Sequence, residues 1–370
     1  MRRTIVLLAA MALTVLVASG VVLGAGIGSA GAQSSVVGPG ESIQKAIDAA
    51  DPGDTIVVRG VHREDVVIRK NGIKLRGDDA VIQAPTTAKA DSPCSKAFGP
   101  EAICVLGDVN LKTENLTLTG PRVSDVSVSG FTIRGFKGKD AFVIDVLGAR
   151  NATVVGNRLI GNVAGAILAF RSVNTTVAKN HVIGSPETDP ETDAPGIQVW
   201  ISSRTTVVGN NISGGAWGIL VYERNHRGFI AGNTIHNNCT GMFFEAFPSQ
   251  PVDDFKVKDN TVKNNTRSCR AAQWGENFSG IGIPLLGASG MEVTGNHLSG
   301  NVPSGPTPVS GGVVVATDPF DEGTTTPMNN SVTGNLLGHN KPDIFWDESG
   351  SGNRFLGNLC DTSVPSSLCN

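Results

Sequence analysis

The chain has 370 residues, 46 of them glycine, with 30 basic and 33 acidic side chains for a net charge of −3. That balance gives no sign of a polyanion binder, so nucleic acid is not an expected partner. Plentiful Gly, Asn, Val and Ile, with no long helical pattern beyond residue 50, exclude a helical bundle and point to an all-β, turn-rich chain.

Met1, Arg2 and Arg3 precede an apolar run from Ile5 to about Val22, and Ala30, Gly31 and Ala32 supply small residues for a cut before Gln33. Residues 1–32 therefore read as a signal peptide, and the mature chain is expected to be secreted, extracellular and free of the membrane. Cleavage leaves 28 basic against 33 acidic residues, a net charge of −5. The next element is "IQKAIDAA" at 43–50, which places Ile43, Ala46, Ile47 and Ala50 on one face of a short helix stopped by "DPGD". It suits an N-terminal cap, within about residues 33–55, over the open core of a stacked β structure.

The rest of the chain is built on a repeat. "TVVGNRLIGN" at 153 and "TVVGNNISGG" at 206 recur more loosely as "FIAGNTIHNN", "KVKDNTVKNN", "MEVTGNHLSG" and "SVTGNLLGHN". Aligned on asparagine, the series is Asn157, Asn180, Asn210, Asn233, Asn260, Asn296, Asn335 and Asn358, a 23-residue unit with insertions. A hydrophobe stands three residues before each asparagine. Short strands at this period, with no helical segment between them, predict a parallel β-solenoid of coils over about 56–360. Equal positions then stack at about the 4.8 Å strand spacing, and a buried asparagine column can satisfy corner backbone groups that water does not reach.

Each coil carries a second strand announced by glycine: "GIQVWIS" at 196, "GILVYER" at 218, "GMFFEAF" at 241, "GIGIPLL" at 280 and "GVVVATD" at 312. Alternation sends Ile197 and Val199, Ile219 and Val221, Met242 and Phe244, Ile281 and Ile283, and Val313 and Val315 inward. One outward column becomes Leu147, Phe170, Trp200, Tyr222, Glu245, Pro284 and Ala316. Its neighbour is Asp145, Leu168, Gln198, Leu220, Phe243, Gly282 and Val314. Phe170, Trp200 and Tyr222 thus form an aromatic ladder suited to the apolar faces of sugars, with Gln198 and Asp145 beside it for hydroxyls. Glu245, Glu223 and Arg224 are the nearest acid, base and charge partners. The competing reading is a covering loop: Trp274 and Phe278 lie in an insertion, 266–279, long enough to fold over the stripe.

Insertions at 185–195, 266–279 and 302–310 all fall before a glycine-announced strand and border one edge of that face. Glu187, Asp189, Glu191 and Asp193 crowd the first. No cofactor is expected, and calcium is the one metal this acidic loop would suit. The histidines form no set, since His181 and His297 share a column four coils apart. The six cysteines fall into sequence-close pairs, Cys94 with Cys104, Cys239 with Cys269, and Cys360 with Cys369, the last a C-terminal clip over 360–369. Cys239 lies one coil below Cys269, so stacking brings that pair together.

"PGESIQKAIDAADPGDTIVVRGVHREDVVIRKNGIKLRG" at 39–77 and the "V-x-G-N-x-I" coils resemble the right-handed parallel β-helix superfamily. That superfamily includes pectate lyases, polygalacturonases, alginate epimerases and the periplasmic copper-processing proteins of nitrous oxide reductase systems. The resemblance implies a single-stranded right-handed parallel β-helix through residues 33–370. Its catalytic signatures are thin here: Asp253-Asp254 stands alone of the polygalacturonase set, and Asp318-Pro319-Phe320 keeps the acid of an epimerase-type Asp-Pro-His and loses the base. The expected function is action on an extracellular polysaccharide as lyase, epimerase or hydrolase. The alternative is a non-catalytic glycan-binding or cell-surface β-helix.

Overall fold

The computed structural model describes residues 31–369 apart from 86–91, 113–116, 139–140, 163–164, 185–194, 272–274 and 321–324. Residues 1–30 of the expected signal peptide, Trp274 and the acidic loop with Glu187, Asp189, Glu191 and Asp193 lie outside the described residues. From Ala32 onward the chain is one compact unit of stacked coils. Among the described residues no helix is long and apolar enough to cross a membrane.

Every coil begins with the repeated phrase. Thr153–Val155 and Arg158–Asn162, joined at the Gly156-Asn157 corner, pair in parallel with the equivalent strands of the next coil, and the same pairing continues to the end of the chain. Among the described residues these strands form one 19-stranded sheet. The glycine-announced strands form a second, of 11 parallel strands, including Phe142–Leu147, Gly165–Phe170, Pro195–Trp200, Trp217–Tyr222, Thr240–Glu245, Ile281–Leu286 and Gly311–Ala316. Inward residues of both sheets make a continuous apolar core from Val37 to Leu368. The helix α1, Ile43–Ala49, starts at Ser42, whose side chain accepts from the Lys45 backbone N–H. It buries Ile43 and Ile47 in the same core.

The asparagine column is continuous. The Nδ2 of Asn157 donates to Asn180 Oδ1 at 3.1 Å, Asn180 to Asn210 at 3.0 Å, and Asn210 to Asn233, Asn233 to Asn260, Asn260 to Asn296, Asn296 to Asn335 and Asn335 to Asn358 at 2.9 Å each. Each Oδ1 also accepts the backbone N–H of the preceding asparagine. A second amide column stands five residues further on: Asn238 donates to Asn265 at 3.0 Å, Asn265 to Asn301 at 2.9 Å and Asn301 to Asn340 at 2.8 Å.

One coil corrects the expected register. Glu245 pairs with Leu286 and Pro284 with Val314, so Leu286 joins the Trp200 column in place of Pro284. Ile283 and Leu285 point inward, whereas Ile281 packs outside the core. The cause is a glycine ladder through Gly196, Gly218, Gly241, Gly282 and Gly312, where successive coils approach too closely for a side chain. A Cβ on Gly196 would lie 2.7 Å from the Gly218 carbonyl oxygen, and one on Gly241 would lie 2.6 Å from that of Gly282. The ladder selects Gly282, not Gly280, as the aligned glycine.

All three expected disulfides are formed: Cys94 with Cys104, Cys239 with Cys269, and Cys360 with Cys369. Cys269 belongs to a small hairpin, Cys269–Ala271 against Glu276–Phe278, that precedes its coil. Asn233→Ala is expected to strand the Asn210 backbone N–H and amide and to lower stability by about 2–4 kcal/mol. Thermal and urea unfolding measure it. A loss under about 0.5 kcal/mol would show that neighbouring water or backbone replaces the ladder.

Candidate functional site

The outward ladder exists, and most of it is roofed. Phe170 stacks on Trp200 at 4.7 Å between ring centroids and Trp200 on Tyr222 at 6.0 Å, as the paired strands require. Phe247, from a corner insertion after Glu245, meets Tyr222 edge-on at 5.5 Å. At one end the chain between residues 92 and 122 covers the ladder: Cys94 and the partly buried Phe98 of the helix α2 (Pro93–Phe98), together with Val109 and Leu111, pack with Leu147, Leu168 and Phe170. At the other end Phe278, Val309 and Phe320 pack on Trp217, Phe243 and Val314. The expectation of an aromatic stripe exposed along its length is corrected accordingly. Phe170 is 1% exposed, and Asp145 and Glu245 are fully buried. Outward positions in the end coils are mostly apolar, Asp145 and Glu245 being the acids among them, and the insertions cover what would otherwise be a largely apolar patch.

Between the roofs lies an open floor of two coils. Gln198, Trp200 and Tyr222 are half-buried there, with Ile201 and Glu223 half-buried and Arg224 exposed at the corner that ends the strand. Glu223 lies against both rings: Trp200 Nε1 donates to its carboxylate at 3.2 Å, and its charge acts on the Tyr222 hydroxyl. Burial holds the Tyr222 hydroxyl well above its ordinary range. The charges of Glu223, Glu245 and Asp318 act in the same direction. At neutral pH Tyr222 is therefore a neutral donor facing three acids. Such a floor offers an indole face, a phenol and a half-exposed carboxylate side by side. Arg171, from the coil before, places its guanidinium 5.4 Å from the centroid of the Phe170 ring.

Asp145 belongs elsewhere. It lies beside Cys104 in the paired strands, and neither of its carboxylate oxygens has a hydrogen-bond partner. Burial, with the charge of Glu101, pushes its carboxyl well above the usual range. Glu101 accepts from Ser92, and from Ser95 at 3.3 Å, while the Ser95 hydroxyl also lies 2.8 Å from Asp65. Its pKa is raised by burial to about 7. These acids hold protons beneath α2 and take no part in the open floor.

Sequence reasoning found Trp200, Tyr222, Gln198 and Glu223, and missed Arg171, Phe247, Ile201 and the placement of Asp318. Phe247 and Asp318 sit in corner insertions whose path strand alternation does not describe. Among the described residues no three His, Cys, Asp or Glu side chains are grouped as a metal would require.

The fold is thus a parallel β-helix with the candidate floor on one outward face. The chain belongs to the right-handed β-helix family, whose model, described as "Right handed beta helix region", matches residues 142–337. No protein of curated function matches the sequence. Among solved structures, DFA-IIIase from Arthrobacter chlorophenolicus A6, without its lid and in complex with GF2, is 14% identical. It superposes with a TM-score of 0.55 over 85% of this chain and 81% of its own. A tailspike protein of E. coli bacteriophage HK620, in complex with a pentasaccharide, is 14% identical with a TM-score of 0.53, covering 86% of this chain and 59% of its own. PfbA, a surface adhesin of Streptococcus pneumoniae, is 13% identical with a TM-score of 0.50, covering 86% and 85%. At these identities the likeness is one of fold.

The raised carboxyl of Glu101 sets a pH dependence. Its folded pKa of about 7 exceeds the ordinary 4.5, so the folded state binds the extra proton. This contribution to stability is complete below about pH 4.5 and is lost as pH rises through 7. The melting temperature is expected to fall by a few degrees between pH 5 and 8, and Glu101→Gln to flatten that slope. An unchanged slope in the variant would assign the titration to another group.

Proposed function

We propose that this chain is an exported carbohydrate-active protein that holds an extracellular polysaccharide across Trp200 and Tyr222 and transforms it at the adjoining carboxylates, as lyase, epimerase or hydrolase. The observation that carries the reading is the gap between the two roofs. Among the described residues, insertions cover the apolar outward face at both ends and leave open the coils where an indole, a phenol and a carboxylate meet. A sugar ring stacks on Trp200 while Gln198, Tyr222 and Glu223 take its hydroxyls. Glu223, half-exposed and bonded to the Trp200 indole, is the acid positioned to exchange a proton with substrate; Arg224 is its exposed cationic neighbour, and Glu245 and Asp318 supply charge from below. The bound pentasaccharide of the tailspike structure lends this fold a glycan-binding precedent. In the same reading the N-terminal segment directs export, α1 closes the first coil, and the three disulfides suit an oxidising destination.

The test offers the mature chain a panel of acidic and neutral polysaccharides and reads binding, ultraviolet-absorbing unsaturated ends and new reducing ends. Trp200→Ala is expected to weaken binding by about 1–3 kcal/mol with little change in melting temperature. Glu223→Gln is expected to lower kcat about 100-fold or more while KM changes little. Binding without product would decide for a non-catalytic surface role. A Trp200→Ala variant that melts several degrees early and binds every glycan like the parent would overturn the site.

A further inference from the structure

Asp145 stands in the outward column that runs through Leu168 to Gln198, and Gln198 lies in the open floor. Ile144 and Val146 on either side of it point into the core, so its carboxyl leaves the sheet on the same face as Gln198. It is nevertheless fully buried, and neither of its oxygens has a hydrogen-bond partner. A carboxyl left unpartnered in this way costs the folded chain free energy, and such a cost points to a second state in which the group is used.

The cover is α2. Cys94 of the helix is bonded to Cys104, whose register partner is Asp145, so the helix is pinned beside the acid. Its first turn is fastened by hydroxyls to carboxyls. Ser92 donates its hydroxyl to Glu101 and its backbone N–H to Asp65 at 3.1 Å, and the Ser95 hydroxyl is shared between Asp65 at 2.8 Å and Glu101 at 3.3 Å. Glu101 is 1% exposed, and its second oxygen has no partner. The charges that act on the two buried acids are themselves acidic, that of Asp65 on Glu101 and that of Glu101 on Asp145, and Lys96, the basic residue of α2, is exposed. A helix of six residues has little stability of its own, so these fastenings and the pin decide where it lies.

We propose that α2 is a lid latched by protons on Glu101 and Asp145, pinned by the Cys94–Cys104 disulfide and opening to present Asp145 on the face that carries the floor. Two carboxylates cannot both ionise side by side in a space closed to water, and opening hydrates them. The open lid lengthens the floor along one column by two coils, from Gln198 through Leu168 to Asp145, about 10 Å at the strand spacing. The latch answers to pH through Glu101, whose carboxyl is raised by burial from 4.5 to about 7 in the closed state. Closure is therefore favoured at acid pH and loses up to about 70-fold of its advantage between pH 5 and 8. The device stands whether the floor holds a glycan or another ligand.

The experiment follows amide hydrogen exchange in the mature protein at pH 5.5 and 8.5, corrected for the intrinsic rate at each pH. The backbone N–H groups of Lys96 and Gly99, bonded to the carbonyls of Ser92 and Ser95, report the lid, and those of Asn210 and Asn233 in the amide ladder report the body. Protection of the lid is expected to fall at least tenfold from pH 5.5 to 8.5 while that of the body holds. The double variant Glu101→Gln with Asp145→Asn imitates the protonated acids and is expected to keep the lid protected at both pH values. Ser95→Ala removes the shared hydroxyl and is expected to lower lid protection at least fivefold at pH 5.5; it carries the test if the double variant does not fold. Equal lid protection at both pH values in the parent, a fall that persists in the folded double variant, or an unchanged lid in Ser95→Ala overturns the proposal. So does a fall that the body shares, since the whole chain would then be opening.

Discussion

Everything in this molecule hangs on the amide ladder at the Gly-Asn corner. Each asparagine oxygen accepts two hydrogen bonds from the coil before it, one from a side-chain amide and one from a backbone N–H. The pair is buried, so a coil displaced by one residue would leave both donors without water or partner. The ladder therefore fixes the register of each coil on the next. Its bonds stay near 2.9 Å where the sequence spacing is 36 residues, Asn260 to Asn296, and where it is 39, Asn296 to Asn335. Extra chain has to leave the solenoid elsewhere, and it does so at the other corners, where it builds the roofs.

That division explains what the sequence discloses. The repeat, the asparagine column, the inward hydrophobes and the Cys239–Cys269 pairing are all legible, because each follows from a period imposed by the ladder. The second amide column was legible too: "NTIHNN", "NTVKNN", "NHLSGN" and "NLLGHN" repeat asparagine after five residues, as Asn233 and Asn238 show in the structure. Where two glycines compete, pattern alone fails. Gly280 and Gly282 both announce a strand, and only the close approach of stacked backbones selects the second.

The site was half legible for a related reason. Alternation states which side chains leave the core, and it says nothing of whether another segment lies over them. Phe170 and Trp200 are equivalent by pattern, yet one is buried under the 92–122 segment and the other is open. Asp145 reads as an outward acid and is a buried one, held with Glu101 beneath α2. Nor do Arg171, Ile201 and Glu223 carry any turn signal. Their left-handed backbone is imposed by the corner, against their own preference, and so cannot be inferred from their identity.

The separation of corners also shapes how such a site can change. In a solenoid each coil touches chiefly its neighbours, so the cost of a substitution stays local. The asparagine corner and the strained corner lie at opposite ends of the coil's strands: Asn210 in the buried amide ladder, Ile201 at the rim of the cleft. A change of side chain at the rim leaves the ladder bonds intact, and a glycine there would relieve strain. Glycine stands at the equivalent corner in two other coils, as Gly148 and Gly287, whereas Ala246 and Thr317 hold it in two more. At Arg171, Ile201 and Glu223 a cation, an aliphatic and an anion stand there instead, one per coil at the strand spacing, each at the conformational cost of left-handed backbone.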